Sequence, residues 1–165
     1  MLSKMKIIKN FCKQDLFNEL VNEIIISGNT PFFYNPTVAY KEDKKTKTDF
    51  YFTHTIYEKQ TPNSPLYAKF IPILEKLKVK ALIRIKINLY PKTEKLHYHN
   101  PHKDYPFKHK GCILSLNDCD GFTIIGKKKI PSIANQALLF DPSIEHNSTT
   151  CTDQQTRINI NFNYF

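Results

Sequence analysis

Two stretches of strict alternation constrain this chain more than any other feature. From Ala81, the apolar residues Ile83, Ile85, Ile87 and Leu89 fall on one face of an extended chain. Arg84, Lys86, Asn88 and Tyr90 fall on the other, until Pro91 interrupts. The C-terminus repeats the pattern, with Ile158, Ile160, Phe162 and Tyr164 set against Arg157, Asn159, Asn161 and Asn163. A period of two marks strands with one buried face. These two strands predict one sheet whose apolar face carries the hydrophobic layer. The polar face either meets solvent, the commoner arrangement, or lines a cavity, where each polar group needs a partner.

Further short strands are predicted at Gly111 to Leu116, Gly121 to Ile125, Ile130 to Ile133 and Gln136 to Phe140. Pro131 confines the third of these to an edge. Asn117-Asp118 and Ile125-Gly126 supply turns. Near the N-terminus, Met5 to Ile8 reads as a short edge strand. Phe32-Phe33-Tyr34 and Phe50-Tyr51-Phe52 read as short strands within an irregular stretch, Thr30 to Thr53.

Two helices are predicted beside these strands. The first runs from Gln14, with Leu16, Phe17, Leu20, Val21, Ile24 and Ile25 at helical spacing. Asn10 is its expected cap and Ser27-Gly28-Asn29 its stop. The second starts at Asn63-Ser64-Pro65 and turns Leu66, Phe70, Ile73, Leu74 and Leu77 to one side. Pro72 falls inside it and predicts a bend. Two helices ahead of about eight short strands predict a mainly β fold with supporting α, a double-stranded β-helix or jelly roll. The N-terminal helices are expected to pack on its major sheet. A length of 165 residues suits one domain, 1–165.

Composition narrows the function classes. Cys12, Cys112, Cys119 and Cys151 include no Cys-x-x-Cys pair, so a thiolate zinc site is not indicated. No run of about 20 apolar residues is present to span a bilayer, and Met1 to Asn10 lacks the apolar run of a secretory leader. The expectation is a cytoplasmic protein with reduced thiols, in which the sequon Asn147-Ser148-Thr149 is silent. A net charge of +9 is compatible with nucleic acid, acidic protein or a small anion as partner. The lysine clusters at Lys41, Lys44, Lys45 and Lys47 and at Lys127, Lys128 and Lys129 read as solvated loops. A basic stretch interleaved with aromatics is absent, so nucleic acid is not indicated beyond the charge itself.

The chemistry concentrates in His102-Lys103-Asp104. Residues two apart on extended backbone project to the same side, so one strand end offers two ligands to one ion. His146, after the strand Ala137 to Phe140 and the turn at Asp141-Pro142-Ser143, is the candidate third ligand. Two histidines and one carboxylate form the facial triad of non-haem Fe(II) oxygenases, which leaves coordination positions open. His97, His99 and His102 form an alternative cluster, which leaves His146 and Arg157 without a role. Arg157 begins the polar-faced C-terminal strand. Its planar guanidinium suits a carboxylate, which it grips through two parallel hydrogen bonds. Asp153 lies on the loop before it, so the partner is a ligand carboxylate or a more distant acidic residue.

Taken together, these residues resemble the 2-oxoglutarate- and Fe(II)-dependent oxygenases of the prolyl-4-hydroxylase-like branch, and most of all small phage and viral members. The resemblance is carried by Asn88-Leu89-Tyr90-Pro91, His102-Lys103-Asp104, Gly111 to Asn117, Asn135 to Phe140, His146-Asn147-Ser148 and Arg157-Ile158-Asn159. It follows the family's order over roughly residues 80 to 165. It implies a β-helix core at 81–165, with 1–80 as helical support and lid.

The resemblance implies that His102, Asp104 and His146 hold Fe(II), and that Arg157 grips the distal carboxylate of 2-oxoglutarate. Tyr90 and Asn88 would reach the cosubstrate or substrate from the neighbouring strand. Two positions depart from the pattern. Asn159 stands where relatives often carry Ser or Thr, and Ser115 where they often carry a tyrosine near the distal carboxylate. The implied reaction uses O2, decarboxylates 2-oxoglutarate to succinate and CO2, and hydroxylates a C–H bond. The implied substrate is a protein prolyl residue, an amino acid or another small molecule. Thr30 to Thr61 is expected to act as a substrate lid, or else to be a surface loop packing its own aromatics. A metal-binding jelly-roll module of the cupin kind, without turnover, is the competing reading.

Overall fold

The computed structural model describes residues 5–41 and 47–165. Lys44 and Lys45 of the first lysine cluster, and part of the expected lid, lie outside them.

The two alternating stretches become β5 (Leu82–Pro91) and β11 (Thr156–Tyr164). They pair antiparallel, with Arg157 opposite Tyr90, Asn159 opposite Asn88, Asn161 opposite Lys86 and Asn163 opposite Arg84. This register lines up four polar rungs on one face, and that face is buried. Arg157, Asn159 and Asn163 are each at most 2% exposed. The polar side of the sheet therefore lines the interior.

The remaining elements assemble around this pair. They are β1 (Lys6–Ile8), β2 (Phe33–Asn35), β3 (Tyr51–Glu58), β4 (Thr61–Pro62), β6 (Lys110–Ser115), β7 (Cys119–Ile125), β8 (Lys128–Ser132), β9 (Ala137–Phe140) and β10 (His146–Ser148). The major sheet runs β1-β9-β6-β11-β5-β3-β2, with β4 added to β3, and a smaller sheet runs β10-β7-β8. Every strand pair is antiparallel, and the order crosses between sheets as in a jelly roll. Pro131 is tolerated because β8 pairs only with β7 and sits at the edge.

The stretch from Thr30 to Thr61 differs from expectation. It is not one loop, because β3 is a full strand of the major sheet, hydrogen-bonded to β5. A register shift between Thr55 and Tyr57 breaks its alternation, which hides the strand from a period-two reading. Ile56 is completely buried in the core. His54, an unlikely-looking strand residue, is satisfied by the Pro31 carbonyl and by Ser64 Oγ, each at 2.8 Å. Among the described residues between β2 and β3, Thr37 and Val38 are buried.

Helix α1 (Gln14–Val21) continues as a π-helical turn over Asn22–Ile26 and ends before Gly28, whose φ is 68°. Asn10 does not cap it. It adopts a left-handed φ of 49°, and Lys13 occupies the cap position without a side-chain bond. Helix α2 (Tyr67–Leu77) contains Pro72, and its entry turn is fixed by Ser64 Oγ accepting from the Leu66 amide. Phe17, Leu20, Ile24, Phe70 and Ile73 share one buried cluster with Ile85, Ile87, Ile160 and Phe162. The rings of Phe70 and Phe162 lie 6.0 Å apart. No helix among the described residues is long and apolar enough to cross a membrane.

Candidate active site

On the polar face of the sheet, three donor groups converge. His102 and His146 form an isolated antiparallel bridge, with their amides and carbonyls exchanging bonds of 2.9 and 3.0 Å. This bridge, not a long strand, brings residues 44 positions apart side by side. Their rings lie 4.6 Å apart. Asp104 Oδ1 is 3.7 Å from His102 Nε2 and 3.9 Å from His146 Nε2. One ligand atom from each of the three lies within 4.8 Å of the others.

The surroundings prepare these groups as ligands. The Ile144 carbonyl accepts from His146 Nδ1 at 2.9 Å, which fixes the tautomer and leaves the Nε2 lone pair facing Asp104. Asn161 Nδ2 donates to Asp104 Oδ2 at 3.0 Å and leaves Oδ1 for an ion. Burial works to raise the Asp104 pKa, but Arg84, His146, Asn161 and His102 outweigh it and hold the carboxyl at about 2. Burial, then the neighbouring His146, draws His102 down to about 4 against the pull of Asp104. The triad is therefore already a carboxylate and a neutral imidazole at His102 at neutral pH, the forms that bind a divalent cation.

A small cavity of about 30 Å3 opens in front of the triad, lined also by Tyr51, Lys86, Asn88, Tyr90, Thr123 and Asn161. Asn88 Nδ2 donates to Asn159 Oδ1 at 3.0 Å, while Asn88 Oδ1 is buried without a partner among the described residues. Arg157 stands behind the cavity wall. Its Nη1 donates to the Thr149 carbonyl at 3.0 Å and its Nη2 to Thr123 Oγ1 at 2.9 Å. The guanidinium lies 5.4 Å from the Tyr90 ring centre, and Nε has no hydrogen-bond partner among the described residues. No carboxylate lies within ion-pair reach of Arg157 among the described residues. Asp153 instead accepts from the Asp120 amide. A buried cation without a counter-ion is the kind of group that a ligand carboxylate satisfies.

Most sequence-named residues meet here. Asn159 and Tyr90 line the cavity; Ser115 lies opposite Asn159 in register but does not reach the lining. The alternative cluster takes a different form. His97 and His99 join Asp49, not His102, with His97 Nε2 at 3.5 Å from Asp49 Oδ1. His99 Nδ1 pairs with Ser148 Oγ at 2.9 Å, and the His99 ring stacks on Tyr90. Burial, with His97 and Arg157, draws His99 down to about 3. The sequence reading overlooked Asp49, Tyr51, Thr123 and the bonding role of Asn161. Asn161 and Lys86 were legible as polar-face residues, whereas Thr123 and Asp49 carry no spacing signal.

Comparison with solved structures places the fold. No family model and no curated protein matches the sequence. The viral collagen prolyl hydroxylase vCPH of Paramecium bursaria Chlorella virus-1, solved with 2-oxoglutarate, aligns with a TM-score of 0.59 at 13% identity, over 96% of this chain and 94% of that one. A Trichoplax adhaerens prolyl hydroxylase, in complex with a hypoxia-inducible factor peptide, gives 0.66 at 15% identity over 98% and 83%. HygX from Streptomyces hygroscopicus, with nickel, 2-oxoglutarate and hygromycin B bound, gives 0.66 at 9% identity over 99% and 83%. The fold is that of the 2-oxoglutarate/Fe(II) oxygenases. Prolyl hydroxylases, one of them viral, are among the structures it resembles, as the sequence motifs imply.

Proposed function

We propose that this chain is a 2-oxoglutarate- and Fe(II)-dependent dioxygenase that hydroxylates a C–H bond, acting as one domain over residues 1–165. The observation that carries this reading is the convergence of His102, Asp104 and His146 at one end of a buried polar cavity whose far wall hides Arg157. A non-catalytic metal-binding module needs the triad but has no use for a buried arginine lacking a counter-ion.

Each residue has a role in this reading. His102, His146 and Asp104 Oδ1 hold Fe(II), while Asn161 and the Ile144 carbonyl keep two of those ligands turned toward it. With Fe(II) bound by these residues, the site would have the chemistry for O2 activation coupled to oxidative decarboxylation of 2-oxoglutarate to succinate and CO2. Arg157 and Thr123 take the distal carboxylate. Tyr90, stacked between Tyr51 and His99, walls the cavity and keeps water out. Asn88 Oδ1 and Asn159 shape the polar wall around the cosubstrate, with Ser115 behind Asn159. The substrate is a protein prolyl residue, an amino acid or another small molecule; the likeness to prolyl hydroxylases favours the first. All four cysteines are unpaired, which supports a reducing, cytoplasmic setting.

Calorimetric titration of 2-oxoglutarate tests the reading. Binding should be one-to-one and depend on Mn(II) as an iron substitute, and His102→Ala should abolish that dependence. Binding of equal strength with and without metal would overturn it.

A further inference from the structure

The cavity holds more positive charge than the site described above consumes. Arg84 and Lys86 sit on the same polar face of β5 as Asn88 and Tyr90. Lys86 Nζ donates to Tyr51 Oη at 3.0 Å and lies 5.3 Å from the Tyr51 ring centre. No carboxylate comes within ion-pair reach of it among the described residues. Arg84 Nη2 is 3.5 Å from Asp104 Oδ1, the oxygen that faces the two histidines. Arg84 Nε is buried without a hydrogen-bond partner among the described residues. Glu58, opposite Arg84 in register on β3, is felt by Lys86 at longer range but forms no ion pair with either cation among the described residues. Burial first, then Arg84, pushes the Lys86 ammonium down to about 7, as befits a cation lacking an anion.

The register separates these cations from Arg157. Along the sheet the rungs run Arg157–Tyr90, Asn159–Asn88, Asn161–Lys86 and Asn163–Arg84. Asn161 is the residue that holds Asp104, so the metal triad stands at the third rung. Arg157 lies four residues away from it, roughly 13 Å at about 3.3 Å per residue. A cosubstrate stretched from the triad to Arg157 occupies that side and leaves Arg84 and Lys86 uncovered. A groove runs from the triad over these two cations, with Asn35, Thr37 and Lys103 also on its walls.

We propose that Arg84, Lys86 and Tyr51 form a subsite for an anionic group, a carboxylate or a phosphate, on the primary substrate. The subsite fixes the class of substrate: a molecule whose oxidised C–H lies a short distance from a negative charge. Arg84 offers a fork and Lys86 a point charge, and Tyr51 orients the ammonium. Occupation by an anion restores the charge balance that the isolated chain lacks. This inference rests on the oxygenase reading for the placement of 2-oxoglutarate, though the anion site itself does not require turnover.

The test uses the full chain loaded with Zn(II), which does not react with oxygen, and 2-oxoglutarate. Inorganic phosphate and acetate are titrated separately at constant ionic strength against chloride, with thermal shift and calorimetry as readouts. One of the two should raise the melting temperature saturably, and its identity distinguishes phosphate from carboxylate as the group recognised. K86M should weaken that anion about tenfold or more while changing 2-oxoglutarate affinity less than about threefold, and R84M should weaken the anion by at least as much. Methionine fills the lysine volume and removes a buried charge, so K86M folds. An equal response in wild type and K86M would mean an adventitious ion only and overturn the proposal. No response to either anion in wild type overturns it as well. Loss of 2-oxoglutarate affinity in K86M, with the anion response intact, would make Lys86 the cosubstrate anchor and also overturn it. Metal-dependent 2-oxoglutarate binding is measured on the same samples. Its failure alone would sink the oxygenase reading and leave the anion site standing.

Discussion

Asn161 Nδ2 donates a 3.0 Å hydrogen bond to Oδ2 of Asp104, and so turns the other carboxylate oxygen toward His102 and His146. Partners of this kind typically contribute about 10- to 100-fold in metal affinity. Asn161→Ala should therefore weaken Fe(II) by roughly that factor while the far-ultraviolet spectrum stays native. Unchanged metal affinity would mean that Arg84, at 3.5 Å, orients Asp104 alone.

The two histidine clusters are separable. His102→Ala should abolish stoichiometric Fe(II) binding at the triad, whereas His97→Ala should leave it intact, because His97 groups with Asp49 and His99. Equilibrium dialysis with each variant decides this. Equal losses would join the clusters into one site.

Gly121 is a place where the backbone admits no side chain. A Cβ built there meets the Thr150 carbonyl oxygen at 2.4 Å and Arg157 Cδ at 2.7 Å. Gly121→Ala must displace the arginine or the β7 backbone. It should weaken 2-oxoglutarate at least tenfold, about 1.4 kcal/mol, and leave Fe(II) affinity nearly unchanged. Arg157→Ala should do the same more severely, on the order of 100-fold. Equal loss of metal and 2-oxoglutarate in either variant would make Arg157 a structural residue.

Stability of the metal-free protein should depend on pH in a defined window. His102 is drawn from 6.5 down to about 4 on folding, first by burial and then by His146. The unfolded chain therefore binds more protons between those values, and stability rises with pH across them. The penalty is complete below about 4 and gone above 6.5. His99, drawn to about 3, acts in the same direction over a wider span. Asp104 contributes stability above its unfolded value of 3.8, which is lost as pH falls through about 2. The urea midpoint should climb from pH 4 to 6.5, and His102→Gln should flatten part of the climb. An equal slope in the variant would show that other groups carry it.

Much of this was legible in the residues themselves. The alternation of Ile83 to Tyr90 and Arg157 to Tyr164 encoded both strands and which residues share their polar face, since side-chain direction in a strand follows from parity; that this face turns inward is read from the burial of Arg157, Asn159 and Asn163. That His102 and Asp104 share one side was legible because His-x-Asp needs only one extended segment, and the structure groups His146 with them. What was hidden depends on contacts between distant segments. The bulge between Thr55 and Tyr57 scrambled the parity of β3, so its start at Phe50-Tyr51-Phe52 read as a short strand and the rest as loop. Asp49 meets His97 only because the chain folds back across 48 positions, and no local pattern encodes that. The missing cap at Asn10 is similar. The Phe11 and Cys12 amides are taken instead by the carbonyl and side-chain oxygens of Asn135, over 120 residues away.

The most direct test of the oxygenase reading is optical. Fe(II) and then 2-oxoglutarate are added to the protein without oxygen, and the visible spectrum is recorded for wild type, His102→Ala and Asp104→Ala. A weak charge-transfer band should appear in wild type only after both additions, and be lost in the two variants. A wild type without the band, or a band that survives Asp104→Ala unchanged, would contradict the placement of iron and cosubstrate at this triad.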